Sequence, residues 1–122
     1  MNQPIVVLQN ASRTSANDAD LGFVNRDCSG LTLVIDITAN AGALGSLTVS
    51  IMAKDPASGK FVLLLASTAL TAVATTVLRI FPGATAAGNA AANDQVPNDF
   101  IVRVAHNVNP IAYSIGGQLV GT

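Results

Sequence analysis

A repeat of two residues along much of the chain constrains its fold more than any other feature. Leu31, Leu33, Ile35 and Ile37 alternate with Thr32, Val34, Asp36 and Thr38, and Leu47, Val49 and Ile51 alternate with Ser46, Thr48 and Ser50. Successive side chains of a strand point to opposite faces, so each pattern puts aliphatics on one face and mostly polar groups on the other. Leu78 and Ile80 bracket Arg79, and Phe100, Val102 and Val104 bracket Arg103. An arginine is rarely buried unpaired, so both arginines mark the outer face of their strands. The alternation predicts strands over 4–11, 30–38, 46–54, 60–66, 74–81, 99–106 and 111–119. Seven strands punctuated by Gly, Pro and Asn predict an all-β fold: a single-domain antiparallel β-sandwich of seven to eight strands, jelly-roll or Ig-like, or a closed barrel.

Residues 1–29 are expected to form an extended N-terminal arm and loop, and residues 30–122 the sandwich body, one domain overall. The stretch 11–29 is polar except for Leu21-Gly22-Phe23-Val24, and 84–96 is built almost wholly of small residues. Ala favours a helical turn in the second stretch, but Gly88 and Asn89 interrupt it, which predicts a loop with at most a short helix. The clearest turn is Asp55-Pro56-Ala57-Ser58-Gly59-Lys60. Pro fixes φ near the value a type I turn needs, and Gly enters the left-handed region at no steric cost. The turn predicts a hairpin of 46–54 with 60–66. Phe61 to Leu65 are apolar without alternation, so both faces of that strand are expected to be covered, one by the core and one by a neighbouring element or another subunit.

Composition narrows the function classes. Only 13 of 122 residues are charged, against about a quarter in ordinary domains. The formal net charge of −1 gives no electrostatic pull towards nucleic acid or anionic lipid, and little repulsion between copies. No run of 18 apolar residues predicts a membrane span, and no basic segment before an apolar one predicts a signal peptide. Cys28 is the single cysteine, so no internal disulfide is expected, in keeping with a reducing compartment.

Reactive residues are scattered. His106 is the only histidine, and catalysis or metal binding would need partners that the sequence does not group around it. Cys28 has no neighbouring base, so it reads as a small half-buried residue before a strand. Asn17-Asp18-Ala19-Asp20 has the flavour of a calcium loop, but calcium takes about six to eight oxygens and the spacing to Asp27 fits no such loop. Asn93-Asp94 and Asn98-Asp99 read as turn residues bonding their own backbone. No nucleophile elbow, glycine-rich phosphate loop or Cys-x-x-Cys is present. No catalytic, cofactor or metal site is therefore expected.

Four segments in order carry more information than any one of them: TVSIMAKDPASGKFVLL (48–64), LRIFPG (78–83), AAGNAAANDQVPNDFIVRVAH (86–106) and AYSIGGQLVG (112–121). Together they resemble a family of small virion structural proteins of tailed bacteriophages, described as head decoration or minor capsid proteins. The resemblance covers about residue 30 onwards. The chain departs from the family pattern at Asn98-Asp99-Phe100, where a basic residue and a Trp are common, and in its Ala-rich 84–92. The resemblance implies a non-enzymatic β-sandwich that binds the major capsid protein lattice on the phage head surface and bridges its subunits. By analogy with decoration proteins it also implies a homo-oligomer, a trimer. On exposure and composition the contacting residues are expected among Pro4, Ile5 and Val6 of the arm, Leu21 and Phe23, and Ala86 and Ala87. Alternatives are a tail or baseplate structural protein, which would share fold and composition, and a carbohydrate-binding sandwich, which this chain serves poorly with no Trp and one Tyr.

Overall fold

The computed structural model describes residues 3–121. Nine strands follow one another: β1 (Gln3–Arg13), β2 (Ala19–Val24), β3 (Cys28–Ala39), β4 (Leu47–Lys54), β5 (Phe61–Ala66), β6 (Thr75–Ile80), β7 (Ala91–Ala92), β8 (Asp99–His106) and β9 (Ile111–Gly121). They form a five-stranded sheet in the order β1-β9-β3-β6-β7 and a four-stranded sheet in the order β2-β8-β4-β5. Every pairing is antiparallel except the two-residue contact of β7 with β6. The protein is an all-β sandwich.

The core lies between the sheets, where the alternating aliphatics meet. Leu31, Leu33, Ile35 and Ile37 of β3 and Ile111, Tyr113, Ile115 and Leu119 of β9 join Val49 and Ile51 of β4 and Phe100, Val102 and Val104 of β8 in one buried cluster. The hydroxyls and charges that alternate with them face out. Burial of such side chains stabilises each by about 1.5–3 kcal/mol against exposure, so this shared interior holds the two sheets together.

Two expected loops turn out to be part of the sheets. Within 11–29, Ala19 to Val24 form β2, an edge strand paired with β8 from Ala19↔Val104 to Val24↔Asp99. Its Ala19, Leu21 and Phe23 point inward while Asp20, Gly22 and Val24 point out, so a real alternation is present but is carried partly by Ala and Gly. The strand expected at 4–11 is β1, which runs along β9 and places Val7 in the core, so residues 3–13 belong to the sandwich and not to an arm beside it. Within 84–96 there is no helix. Ala91 and Ala92 pair with β6, Asn93 Oδ1 accepts the Gly83 N–H at 2.9 Å, and Val96 is buried. The Asn25 amide fastens the same loop by donating to the carbonyls of Val96 (3.0 Å) and Cys28 (2.7 Å).

The β4–β5 hairpin closes through the Asp55–Lys60 turn. Gly59 takes φ +74, and the Asp55 carboxylate accepts from the Ser58 N–H (3.2 Å) and hydroxyl (2.6 Å). The left-handed position is thus occupied by the residue that adopts it without strain, and the aspartate supplies the acceptors that the tight backbone needs.

Candidate interaction surface

The outer face of the four-stranded sheet is built in rows across its strands. Register places Val24, Asp99, Lys54 and Phe61 in one row, and Gly22, Ile101, Met52 and Leu63 in the next. In the third row Arg103 lies between Asp20 and Ser50, and its guanidinium grips the Asp20 carboxylate through two bonds, Nε–Oδ1 at 2.7 Å and Nη2–Oδ2 at 3.0 Å. The same guanidinium sits 5.7 Å from the centre of the Phe61 ring. Because Gly22 has no side chain, a groove of about 270 Å³ opens beside it, lined by Val24, Lys54, Phe61, Asp99 and Ile101. The rows are mixed: apolar groups lie among opposite charges that are close enough to offset one another.

The edge of this sheet is its most apolar exposed part. Phe61, Val62 and Leu63 are 37%, 57% and 54% exposed, and only Leu65 of β5 is buried. The chain itself therefore covers one end of the five-residue apolar run and leaves the other bare. A β-bulge lies behind this, since Ile51 pairs with Leu65 but Met52 with Leu63, and the extra residue, Leu64, shifts the strand's facing. Bare, hydrophobic edge strands are sites of pairing with other chains.

The residues expected to make contacts are spread over three places. Pro4 and Val6 are exposed on β1 and Ile5 is half-buried beside them. Leu21 and Phe23 point inward and pack against the core, with Phe23 stacked on Phe100 at 5.6 Å. Ala86 and Ala87 are exposed in the loop before β7, where Asn89, at φ +61, donates its amide to the Ala66 carbonyl at the end of β5. The structure does not gather these seven residues into one patch.

His106 has the partners that the sequence did not group around it. Its Nδ1 lies 2.7 Å from Asp18 Oδ1, which also accepts the His106 backbone N–H at 2.8 Å, and its Nε2 meets the Tyr113 hydroxyl. The His106 side chain is fully buried, as is Tyr113. Arg13 lies over the tyrosine ring, 4.8 Å from its centre, and donates to the Tyr113 carbonyl at 3.0 Å. Burial pushes the phenol up to about 12, so it stays neutral, and the imidazole bridges carboxylate and hydroxyl through its two ring nitrogens. Carboxylate, imidazole and hydroxyl stand in the order of a nucleophilic relay, but the hydroxyl is sealed inside the core, out of reach of any substrate. The trio clasps β8, β9 and the segment leading into β2. No signal in the sequence gives it away, because its members lie 88 and 7 positions apart. Asp18 and Asp20, considered above as calcium ligands, are instead engaged by His106 and Arg103, and no cluster of three metal-binding side chains occurs among the described residues.

Three carboxyls sit below the ordinary 3.8: Asp18 through its bond to His106, Asp20 through its bonds to Arg103, and Asp55 through the Ser58 hydroxyl. A carboxyl whose folded-state value is depressed adds stability above its unfolded value and loses it as the pH falls through the folded one. The urea midpoint should therefore be insensitive to these groups above about pH 5 and fall below about pH 4. All three are exposed, so each contribution is small. In Asp20→Asn the acid-side fall should be shallower, and an unchanged fall would show that the Arg103 pair contributes nothing.

Comparison with known proteins adds little. The sequence matches no protein-family model, and no curated protein matches it. Among solved structures, a chain in "Structure of infectious bursal disease virus Gx strain" superposes with a TM-score of 0.48 at 11% identity, over 97% of this chain and 31% of that one. This chain thus spans about a third of the length of its structural neighbour.

Proposed function

We propose that this chain is a non-enzymatic structural protein of a bacteriophage virion, a decoration or cement protein that binds the assembled head and bridges major-capsid subunits. The observation that carries this reading is the bare apolar strand Phe61–Leu63 at the edge of a sandwich with few charges. The ordered segments 48–64, 78–83, 86–106 and 112–121, which resemble the decoration family, support it. A protein that binds only the assembled lattice stabilises that lattice by mass action, and many symmetry-related copies act together. With few charges available, apolar and backbone contacts carry the binding, so it survives moderate salt. Neither nucleic acid nor membrane is a partner in this reading. A tail or baseplate location is the second reading, on the same surface.

The test mixes purified protein with empty phage heads and with isolated tails and pellets each. Co-sedimentation with heads, retained in moderate salt, is the expected result. Retention on tails alone would move the protein to the tail, and retention on neither would remove the virion reading.

A further inference from the structure

The four-stranded sheet ends in two edges that fit each other. Strand direction alternates across β2, β8, β4 and β5, so β2 and β5 run oppositely. A second copy set beside the first by rotation about an axis along the strands would bring its β2 next to β5 with the antiparallel alternation unbroken. Both strands have six residues. Aligned end to end, Phe61 falls opposite Val24, Val62 opposite Phe23, and Leu63 opposite Gly22. The facings agree over these three positions: Phe61 and Leu63 point outward with Lys54 and Met52, as do Val24 and Gly22 with Asp99 and Ile101, and beyond them the bulge at Leu64 turns Leu65 inward opposite the outward Asp20, so the seam ends there. Matching of inward and outward sets is what fixes a strand register.

Shape favours the same register. Leu63 is 54% exposed, while a side chain built at Gly22 would meet nothing within 4 Å, so the bare leucine of one copy lies over the empty position of the next. Val24, 56% exposed, would be covered by Phe61. Pairing β5 with its own twofold copy would instead leave the Gly22 position empty.

We propose that copies of this chain join head to tail, β5 of one against β2 of the next, to make one continuous outer sheet. Such a contact is heterologous, so copies add in one direction, into a ring where the rotation closes and a filament where it does not, with two seams on each copy between neighbours. The proposal stands on the sheet edges alone and does not require the virion reading.

Cysteine cross-linking tests it in a Cys28→Ser background. Directly opposed strand residues lie within disulfide reach, so Gly22→Cys/Leu63→Cys should oxidise to covalent oligomers of several chains, while Leu63→Cys alone should stay monomeric on a denaturing gel. Leu63→Lys, at an exposed position that the fold does not need, should shift the sedimenting species from an oligomer to the 12.3 kDa monomer with its circular dichroism unchanged. Covalent dimers from Leu63→Cys alone would replace the seam with a twofold β5 pair. A parent protein that sediments as a monomer at every concentration, or a double variant that does not cross-link, would overturn the proposal. Head and tail pelleting is read separately, so either idea can fail without the other.

Discussion

Gly117→Ala should cost at least about 3 kcal/mol, a large part of the roughly 5–15 kcal/mol by which domains of this size are stable. Gly117 sits on β9 between β1 and β3, paired with Ile5 on one side and Leu33 on the other. A methyl group there would overlap the Thr32 carbonyl oxygen and come within 3.0 Å of the Leu33 Cα. Both obstacles are backbone in the middle of a sheet, so no side chain can swing aside. Gly116, one residue earlier, is the control: its nearest obstacle is the Ile5 carbonyl oxygen at 3.5 Å, an ordinary contact. Gly116→Ala should therefore stay within about 1 kcal/mol. The check is the urea midpoint of both variants, and equal losses would show that the close approach at Gly117 is relieved by sheet movement.

His106→Ala should cost about 3–4 kcal/mol. It removes a fully buried ring, leaves the Tyr113 hydroxyl unpaired in the core, and takes from Asp18 the group it bonds. An unsatisfied buried polar group costs about 1–3 kcal/mol, and the vacated space adds to it. Tyr113→Phe should cost less, about 1–2 kcal/mol, because the ring still fills its place while Nε2 loses its partner. If the trio acts as one unit, the double variant should be less destabilised than the sum of the two single ones. Strict additivity would mean that histidine and tyrosine act independently. The sequence grouped no partners around His106, and the fold supplies two, Asp18 and Tyr113.

Periodicity disclosed most of the fold. Strands expected at 4–11, 30–38, 46–54, 60–66, 74–81, 99–106 and 111–119 lie within a few residues of β1, β3, β4, β5, β6, β8 and β9, because each carries bulky aliphatics on one face. β2 stayed hidden because its pattern rests on Ala19 and is interrupted by Gly22, so two of its six positions carry little hydrophobic signal. β7 is two alanines held by β6, a pairing that tertiary context imposes on a segment with helical preference. The surface was less legible. A run of apolar residues at 61–65 announces burial, but not that a bulge at Leu64 would leave its first three members bare. The Asp18–His106–Tyr113 clasp depends on sheet stacking, which no local pattern encodes.

The position of β9 has a consequence for how the molecule assembles in time. It is the ninth strand along the chain, yet in its sheet it lies between β1 and β3, the strands nearest the other end. Until residues 111–121 arrive, β1 has no strand neighbour and β3 is paired on one side only. The paired positions are about seventy residues or more apart, and the entropy of closing that gap must be met before any of those ladder bonds form. Folding should thus be slow for so small a domain, in the millisecond-to-second range. While a chain waits, the edges of β1 and β3 stand open next to identical edges on neighbouring nascent chains. The protein is therefore most exposed to mispairing during synthesis, before its last strand locks the sheet.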